Sequence, residues 1–593
     1  MELSSRPLRI GNFSGYEADR WSALADVLSG DPLDVAFGDY LAEITLASLV
    51  TRLDKDASRG YVARFFEQFK DSFDAVVSSG TRIVTNAGGF NPQALAEDIH
   101  EYASGRGVEL SVAYVLGDNL LDCFPDLVAA GHHFTNMDTG KKITNASDFD
   151  PISVDAYLGG WGIAKALAEG AQIVVTGRVA DASLVVGSAA WFHGWRDDEL
   201  DKLAGALAAA HITECGPQAV GGNFSGFDTL GDVRRLSFPI AEIHEDGSAV
   251  IGKHSGQNGK VTVDTVTAQL LYEIQGPYYL NNDVTLDVRS VHLEQVGEDR
   301  VRVSGAKGSP PPETTKVSIF AGLGYQSAST AYLTGLQVAE KTAFVESQLA
   351  DFLAGTGVHY DITRIGVPAE HPSSQWEATV VLRVITVADE AELLERYNIG
   401  AHLASVYLSG VPGYYCDEIT GDARSPVRQR IEYWPGLLDQ SVLDQRVEFV
   451  NGGSFPVGLP ERIPFDGQPS QDVTPPLPAA ALDVRTVRLG DLAYARSGDK
   501  GGVNNVGVWV KDPADYEWLR AVLSIEALRA RITELKEIEV ERHEFPNLNA
   551  VHFLFKGLLG TGGSSSLRVD RLGKAVGEYL RTIPVPDPRP REL

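Results

Sequence analysis

An α/β fold is predicted by three features of this 593-residue sequence. Short β-branched apolar runs end repeatedly in glycine beside a polar residue, helical stretches separate those runs, and strict apolar alternation begins only at Asp283. Continuous apolar runs of this length read as buried parallel strands, and alternation reads as antiparallel sheet. Residues 1–280 are therefore expected to form a Rossmann-like doubly wound α/β domain, and 281–455 a mixed α/β domain packed on it. Seven prolines between Pro456 and Pro478 mark 456–482 as a linker, and 483–593 as a separate ferredoxin-like α+β domain with a loose tail from Pro584.

Leu8 to Ser14 opens the chain as a strand, with Glu17 to Leu28 a helix behind it. Asp34 to Phe37 is the next strand, ending in Gly38-Asp39-Tyr40 ahead of a helix from Leu41 that carries Glu43. Tyr61 to Phe73 reads as helical. Arg82 to Asn86 then closes in Ala87-Gly88-Gly89-Phe90-Asn91-Pro92, where Asn91 suits a helix N-cap and Pro92 the first helical position. Bare glycine backbone at a helix start suits an anion. Leu110 to Leu116 repeats the pattern and ends in Gly117-Asp118-Asn119. Asp150-Pro151 reads as a cap for a helix from Asp155 to Gly170, and Ala171 to Thr176 as a strand delivering Gly177, Arg178, Asp181 and Ser183.

In open α/β sheets ligands lie just outside the carboxyl ends of the strands. Any one of these glycines also serves an ordinary strand-to-helix turn. Together they bring Asp39, Glu43, Asn86, Asp118, Arg178 and Asp181 to one rim, with Gly88, Gly89 and Ser183 beside them.

Gly11 to Gly15 is GxxxG, neither a dinucleotide fingerprint nor a P-loop, so no cofactor is assigned. His132 and His133 have no third ligand at metal spacing, so no metal is assigned either. His211 to Pro217 and Gly221 to Gly226 face a ligand or merely connect elements. Gly252 to Lys260 is a glycine-rich basic loop in which Lys253 and His254 suit a carboxylate or phosphate, with a surface hairpin as the alternative. Thr262 to Ile274 looks helical. The middle region continues with a helix at Leu333 to Leu353, a strand at Thr379 to Ile385 and a helix near Glu390 to Tyr397.

The last domain reads as strands at Leu492 to Arg496, Val506 to Val510, Glu537 to Arg542 and His552 to Lys556, with helices at Asp515 to Ile532 and Asp570 to Leu580. Its loop Ser497-Gly498-Asp499-Lys500-Gly501-Gly502 makes Lys500 a further anion ligand.

A net charge of -29 argues against nucleic acid or an anionic membrane as partner. Cys123, Cys215 and Cys416 are odd in number and unpaired in spacing, which with the absence of a leader-like start or a membrane-length apolar run points to a reduced, cytoplasmic setting.

Gly38 to Glu43, Asn86 to Pro92, Thr176 to Ser183, Glu214-Cys215-Gly216 and Ser497 to Gly501 resemble the acyclic terpene utilisation A (AtuA) family over nearly the whole chain. The resemblance departs at Asp118-Asn119, where two aspartates are usual, and in the 253–259 loop. It implies catabolism of branched acyl-CoA compounds, with a lyase or hydratase step on a 3-hydroxy-3-alkylglutaryl-type thioester among the possible reactions. The expected activity is that of a lyase or hydro-lyase on a carboxylic acid or its CoA thioester, in a homo-oligomer. Asp181 or Glu43 would serve as base, Asp39 would be a carboxyl of raised pKa, Arg178 and Lys253 would be the cations, and the Gly88-Gly89 turn would donate N–H groups. The alternative is a non-catalytic acyl-CoA binding or assembly subunit.

Overall fold

The computed structural model describes residues 6–53, 60–420, 423–469, 475 and 485–589. Of the expected linker, 470–474 and 476–482 lie outside the described residues. The chain divides into two compact units: Met1–Phe320 with Tyr433–Gly563 and Asp570–Leu593, and Ala321–Glu432 with Ser564–Val569.

An eleven-stranded mixed sheet organises the first unit. Its centre is parallel: Leu8–Ser14, Val35–Gly38, Arg82–Thr85, Ile173–Thr176 and Val112–Leu116 lie side by side in that order. These strands are short and almost wholly buried, which is why their sequences are continuous apolar runs. Antiparallel strands extend both flanks. Pro239–Ile243, Ala249–Lys253, Arg300–Ser304 and His292–Gly297 continue from Leu8–Ser14, while Arg446–Phe449 and Ser454–Pro456 continue from Val112–Leu116.

The expected helix from Asp155 to Gly170 divides into a strand, Pro151–Ala156, and a helix, Trp161–Ala168. Alternation of Ile152 and Val154 places the strand, and Gly160, which a Cβ would bring within 2.6 Å of the Gly187 backbone nitrogen, lets the helix pack closely. The cap at Asn91 is as expected: its side chain accepts from the Ala94 N–H at 3.1 Å, with Pro92 opening the helix Pro92–Ser104.

The C-terminal domain belongs to this first unit. Its four-stranded antiparallel sheet runs Ala493–Lys500, Val503–Val510, Ala550–Lys556, Glu539–Phe545. The expected loop at Ser497 to Gly502 is instead a hairpin, with strand pairing as far as Lys500 and Val503 and a turn at Gly501-Gly502, where Gly501 has φ +60°. The expected helix from Asp515 to Ile532 is two helices, Tyr516–Val522 and Ile525–Arg531, because Ser524 caps the second. Pro584–Pro586 is not a loose tail but a strand paired with Thr486–Arg488.

One face of this sheet, with Val506, Val508, Val551 and Phe553, packs on the domain's own helices. The other turns to the N-terminal region. A Cβ at Gly507 would stand 2.7 Å from Leu271 Cβ, and Trp509 Nε1 donates to Asp264 Oδ1 at 3.1 Å.

In the second unit, His359–Ile365 pairs with Thr379–Ala388, which pairs with residues 325–334 of the strand Thr314–Thr334. The helices Val338–Leu353, Ala391–Arg396 and Ile399–Ser405 bury their apolar sides with these strands. Leu333 ends a strand rather than starting the helix, because Gly335 at φ +92° turns the chain. No helix among the described residues is long and apolar enough to cross a membrane.

Candidate functional site

Asp39, directly after the second parallel strand, is buried, and its Oδ1 accepts from Asn86 Nδ2 at 2.6 Å. Asn86 Oδ1 in turn accepts from the Tyr40 N–H at 2.7 Å. Burial, reinforced by the charge of Asp181, raises the Asp39 carboxyl well above the usual range.

Arg178 follows the strand Ile173–Thr176 and is only 2 % exposed. Its Nη1 donates to the Leu41 carbonyl at 2.7 Å and lies 2.8 Å from Asp181 Oδ1, while its guanidinium stacks over the Tyr157 ring at 3.9 Å. Burial opposes the charge of Arg178, but Asp181, Tyr157 and Asp39 outweigh it and hold the pKa above the usual value. The same cations reverse the effect of burial on Tyr157: Arg178 and Lys316 bring its hydroxyl below the ordinary phenol value.

Asp118 fixes the loop. Its Oδ2 accepts from the Arg178 N–H at 2.6 Å, and burial raises its pKa to about 6. Gly177 is required here, because a Cβ would stand 1.9 Å from that oxygen.

The C-terminal hairpin completes the arrangement. The Gly501 N–H donates to Glu43 Oε2 at 3.2 Å, and the Gly502 N–H to Asp138 Oδ2 at 2.7 Å. Lys500 Nζ lies 3.2 Å from Glu273 Oε2 and 3.9 Å from Asp181 Oδ2. Lys574 Nζ donates to Glu273 Oε1 and to Asp499 Oδ1, each at 2.9 Å, and to the Tyr272 hydroxyl. Burial alone would raise Glu273, but Lys574 and Lys500 outweigh it and hold this carboxylate far below its usual range. Lys316 Nζ reaches Glu43 Oε1 at 2.6 Å and, with Lys500, keeps Glu43 ionised against its burial.

The structure thus brings together Asp39, Glu43, Asn86, Asp118, Arg178, Asp181 and Lys500. Other candidates are engaged elsewhere. Ser183 Oγ donates to Asp283 Oδ2 at 2.6 Å. The Gly88 and Gly89 N–H groups donate to the carbonyls of Thr176 and Asn86, so neither is presented to a ligand.

His254 is held through both ring nitrogens, by the Asp31 N–H at 3.0 Å and the Val27 carbonyl at 2.9 Å. Lys253 pairs with Asp299 Oδ2 at 2.9 Å. Both line a cavity of ≈ 630 Å³ with Arg9, Glu242 and Arg300 on the antiparallel flank, where Lys253, Arg9 and Arg300 already have acidic partners.

Sequence reasoning did not single out Tyr157, Glu273, Lys316 or Lys574. Only Glu273 carries a local signal, a helix ending shortly before Gly276-Pro277. Among the described residues, no group of three or more His, Cys, Asp and Glu is placed to hold a metal.

Fold and site define a mixed α/β protein with a buried cluster of carboxylates, arginine and lysines at the rim of its parallel strands, completed by a ferredoxin-like domain. The chain belongs to the acyclic terpene utilisation family: the model for "Acyclic terpene utilisation family protein AtuA" matches residues 8–449, and that for "AtuA ferredoxin-like domain" matches 487–586. No curated protein matches the chain. Among solved structures, E. coli aspartokinase III in complex with lysine and aspartate aligns over 92% of this chain and 96% of that chain, at 10% identity and a TM-score of 0.15, too low to show a shared fold.

Proposed function

We propose that this protein is an enzyme of branched carboxylic acid or acyl-CoA metabolism, a lyase or hydro-lyase acting on a carboxylate or its CoA thioester. One observation carries the reading: the buried Asp39 carboxyl, raised well above the usual range, shares a cluster with Asp181, whose Oδ1 lies 2.8 Å from Arg178 Nη1. A buried carboxyl biased toward its protonated form, beside a second carboxyl held by a cation, is what acid–base chemistry needs. Asp181 serves as base toward a proton beside the carbonyl, and Asp39 or Tyr157 returns a proton to the leaving oxygen. Arg178 and Lys500 balance the negative charge that develops on the carbonyl oxygen or is carried by the substrate.

The parallel strands with their loops gathered at the carboxyl ends also support reading residues 1–280 as a Rossmann-like doubly wound α/β domain. Incubation of the full chain with candidate acyl-CoA thioesters, followed by mass spectrometry, tests the reading: gain or loss of water, or cleavage, is expected. No conversion of any thioester, with binding intact, would favour an acyl-CoA binding subunit instead.

A further inference from the structure

The helix Leu200–Thr213 ends in a pair of side chains that the proposed chemistry does not use. His211 and Glu214 are 2 % and 3 % exposed, and His211 Nδ1 lies 3.1 Å from Glu214 Oε1. Two further buried residues are tied to them: Asn12 Nδ2 donates to the Glu214 carbonyl at 2.9 Å, and Gln269 Nε2 to the His211 carbonyl at 3.4 Å. The Tyr279 ring lies 4.6 Å from the imidazole.

Each of the four residues keeps one buried polar atom without a hydrogen-bond partner: Asn12 Oδ1, His211 Nε2, Glu214 Oε2 and Gln269 Oε1. Such an atom forfeits the hydrogen bonds that water would have supplied. A purely structural core pairs its polar groups, so four orphans among mutually bonded neighbours mark a place prepared for something else.

The pair borders the cluster described above, since the charges of Asp181 and Lys500 both act on His211, Glu214 and Tyr279. Burial disfavours charge on both of its members. Burial, then the charge of Asp181, raises Glu214 well above the usual carboxyl range, while burial and Lys500 lower His211 to about 4.

We propose that Asn12, His211, Glu214 and Gln269 form a subsite that receives a hydroxyl group of the ligand whose charged or thioester end meets Arg178 and Lys500. The two amide oxygens can only accept, so the incoming group must donate, which a carbonyl cannot do. Burial favours the protonated form of Glu214, which in turn needs an acceptor. A hydroxyl does both. This inference rests on the reading of the substrate as a carboxylate or acyl thioester.

Isothermal titration of the full chain with butyryl-CoA and 3-hydroxybutyryl-CoA tests it. The wild-type chain is expected to bind the hydroxylated thioester at least about tenfold more tightly, a site built for a hydroxyl discriminating against its absence. Glu214→Gln and Gln269→Leu should each bring the two affinities toward a ratio of one. Equal affinities in the wild-type chain, or variants that leave its preference unchanged, overturn the subsite and leave the thioester reading standing. A wild-type chain that binds neither compound overturns both. The wild-type comparison decides even if a variant fails to fold.

Discussion

Lys500 Nζ stands 3.9 Å from Asp181 Oδ2, so a lysine of the C-terminal hairpin meets a carboxylate supplied by the loop after a central parallel strand. The opposite oxygen, Oδ1, lies 2.8 Å from Arg178. Asp181 is therefore flanked by cations from two regions far apart in sequence, and the C-terminal domain is part of the site rather than an appendage to it.

Asp181→Asn is expected to lower kcat by about a hundredfold or more, the scale of a lost general base, and to lower the melting temperature because the buried Arg178 loses its nearest carboxylate. Turnover on the thioester identified by mass spectrometry checks this, and unchanged kcat would remove the base assignment.

Lys500→Gln should weaken both substrate binding and the hold of the hairpin on the rim. Glu273 keeps Lys574 at 2.9 Å after the loss, so the expected cost in stability is modest, about 1 kcal/mol, while KM rises several-fold. Denaturant unfolding and steady-state kinetics separate the two effects.

Gly177→Ala forces a Cβ to within 1.9 Å of Asp118 Oδ2. The loop must shift, at about 1–3 kcal/mol as in other overpacked sites, and Arg178 moves with it. A lowered melting temperature accompanied by loss of turnover is expected. An active variant of normal stability would contradict the loop geometry.

His552 is wholly buried on the face of the C-terminal sheet that meets the N-terminal region, opposite His543 on the next strand. Burial, then the charge of His543, lowers its pKa to about 3 from 6.5. The folded chain therefore binds fewer protons here than the unfolded one between those values. The contribution is complete above pH 6.5 and is lost as pH falls toward 3, by up to about 1.4 kcal/mol per pH unit. Glu273, held low by its lysines, adds a second loss below the ordinary carboxylate range. Urea unfolding between pH 7 and pH 4 should show a steeper decline for the wild type than for His552→Leu, and parallel curves would refute this origin of the acid sensitivity.

The sequence by itself determined the rim. Asp39, Asn86, Asp118, Arg178 and Asp181 follow apolar runs that can only be buried strands, and the turn chemistry beside them is local, so position along the chain was enough to group them. Local signals also marked Lys500, next to the glycines of its turn, and the Asn91 cap. They misread Pro151–Ala156, where the proline suggested a helix start, and they offered Lys253 and His254 as ligands for a carboxylate or phosphate although both are bound into the antiparallel flank.

Only the tertiary structure decided that the sheet is mixed, that Lys316, Glu273 and Lys574 join the cluster, and that the C-terminal hairpin closes over Glu43 and Asp138. Periodicity reports which face of an element is buried; it carries no record of which distant element does the burying. Long-range docking depends on complementary shape and charge between surfaces hundreds of residues apart, and those appear only once the chain is folded.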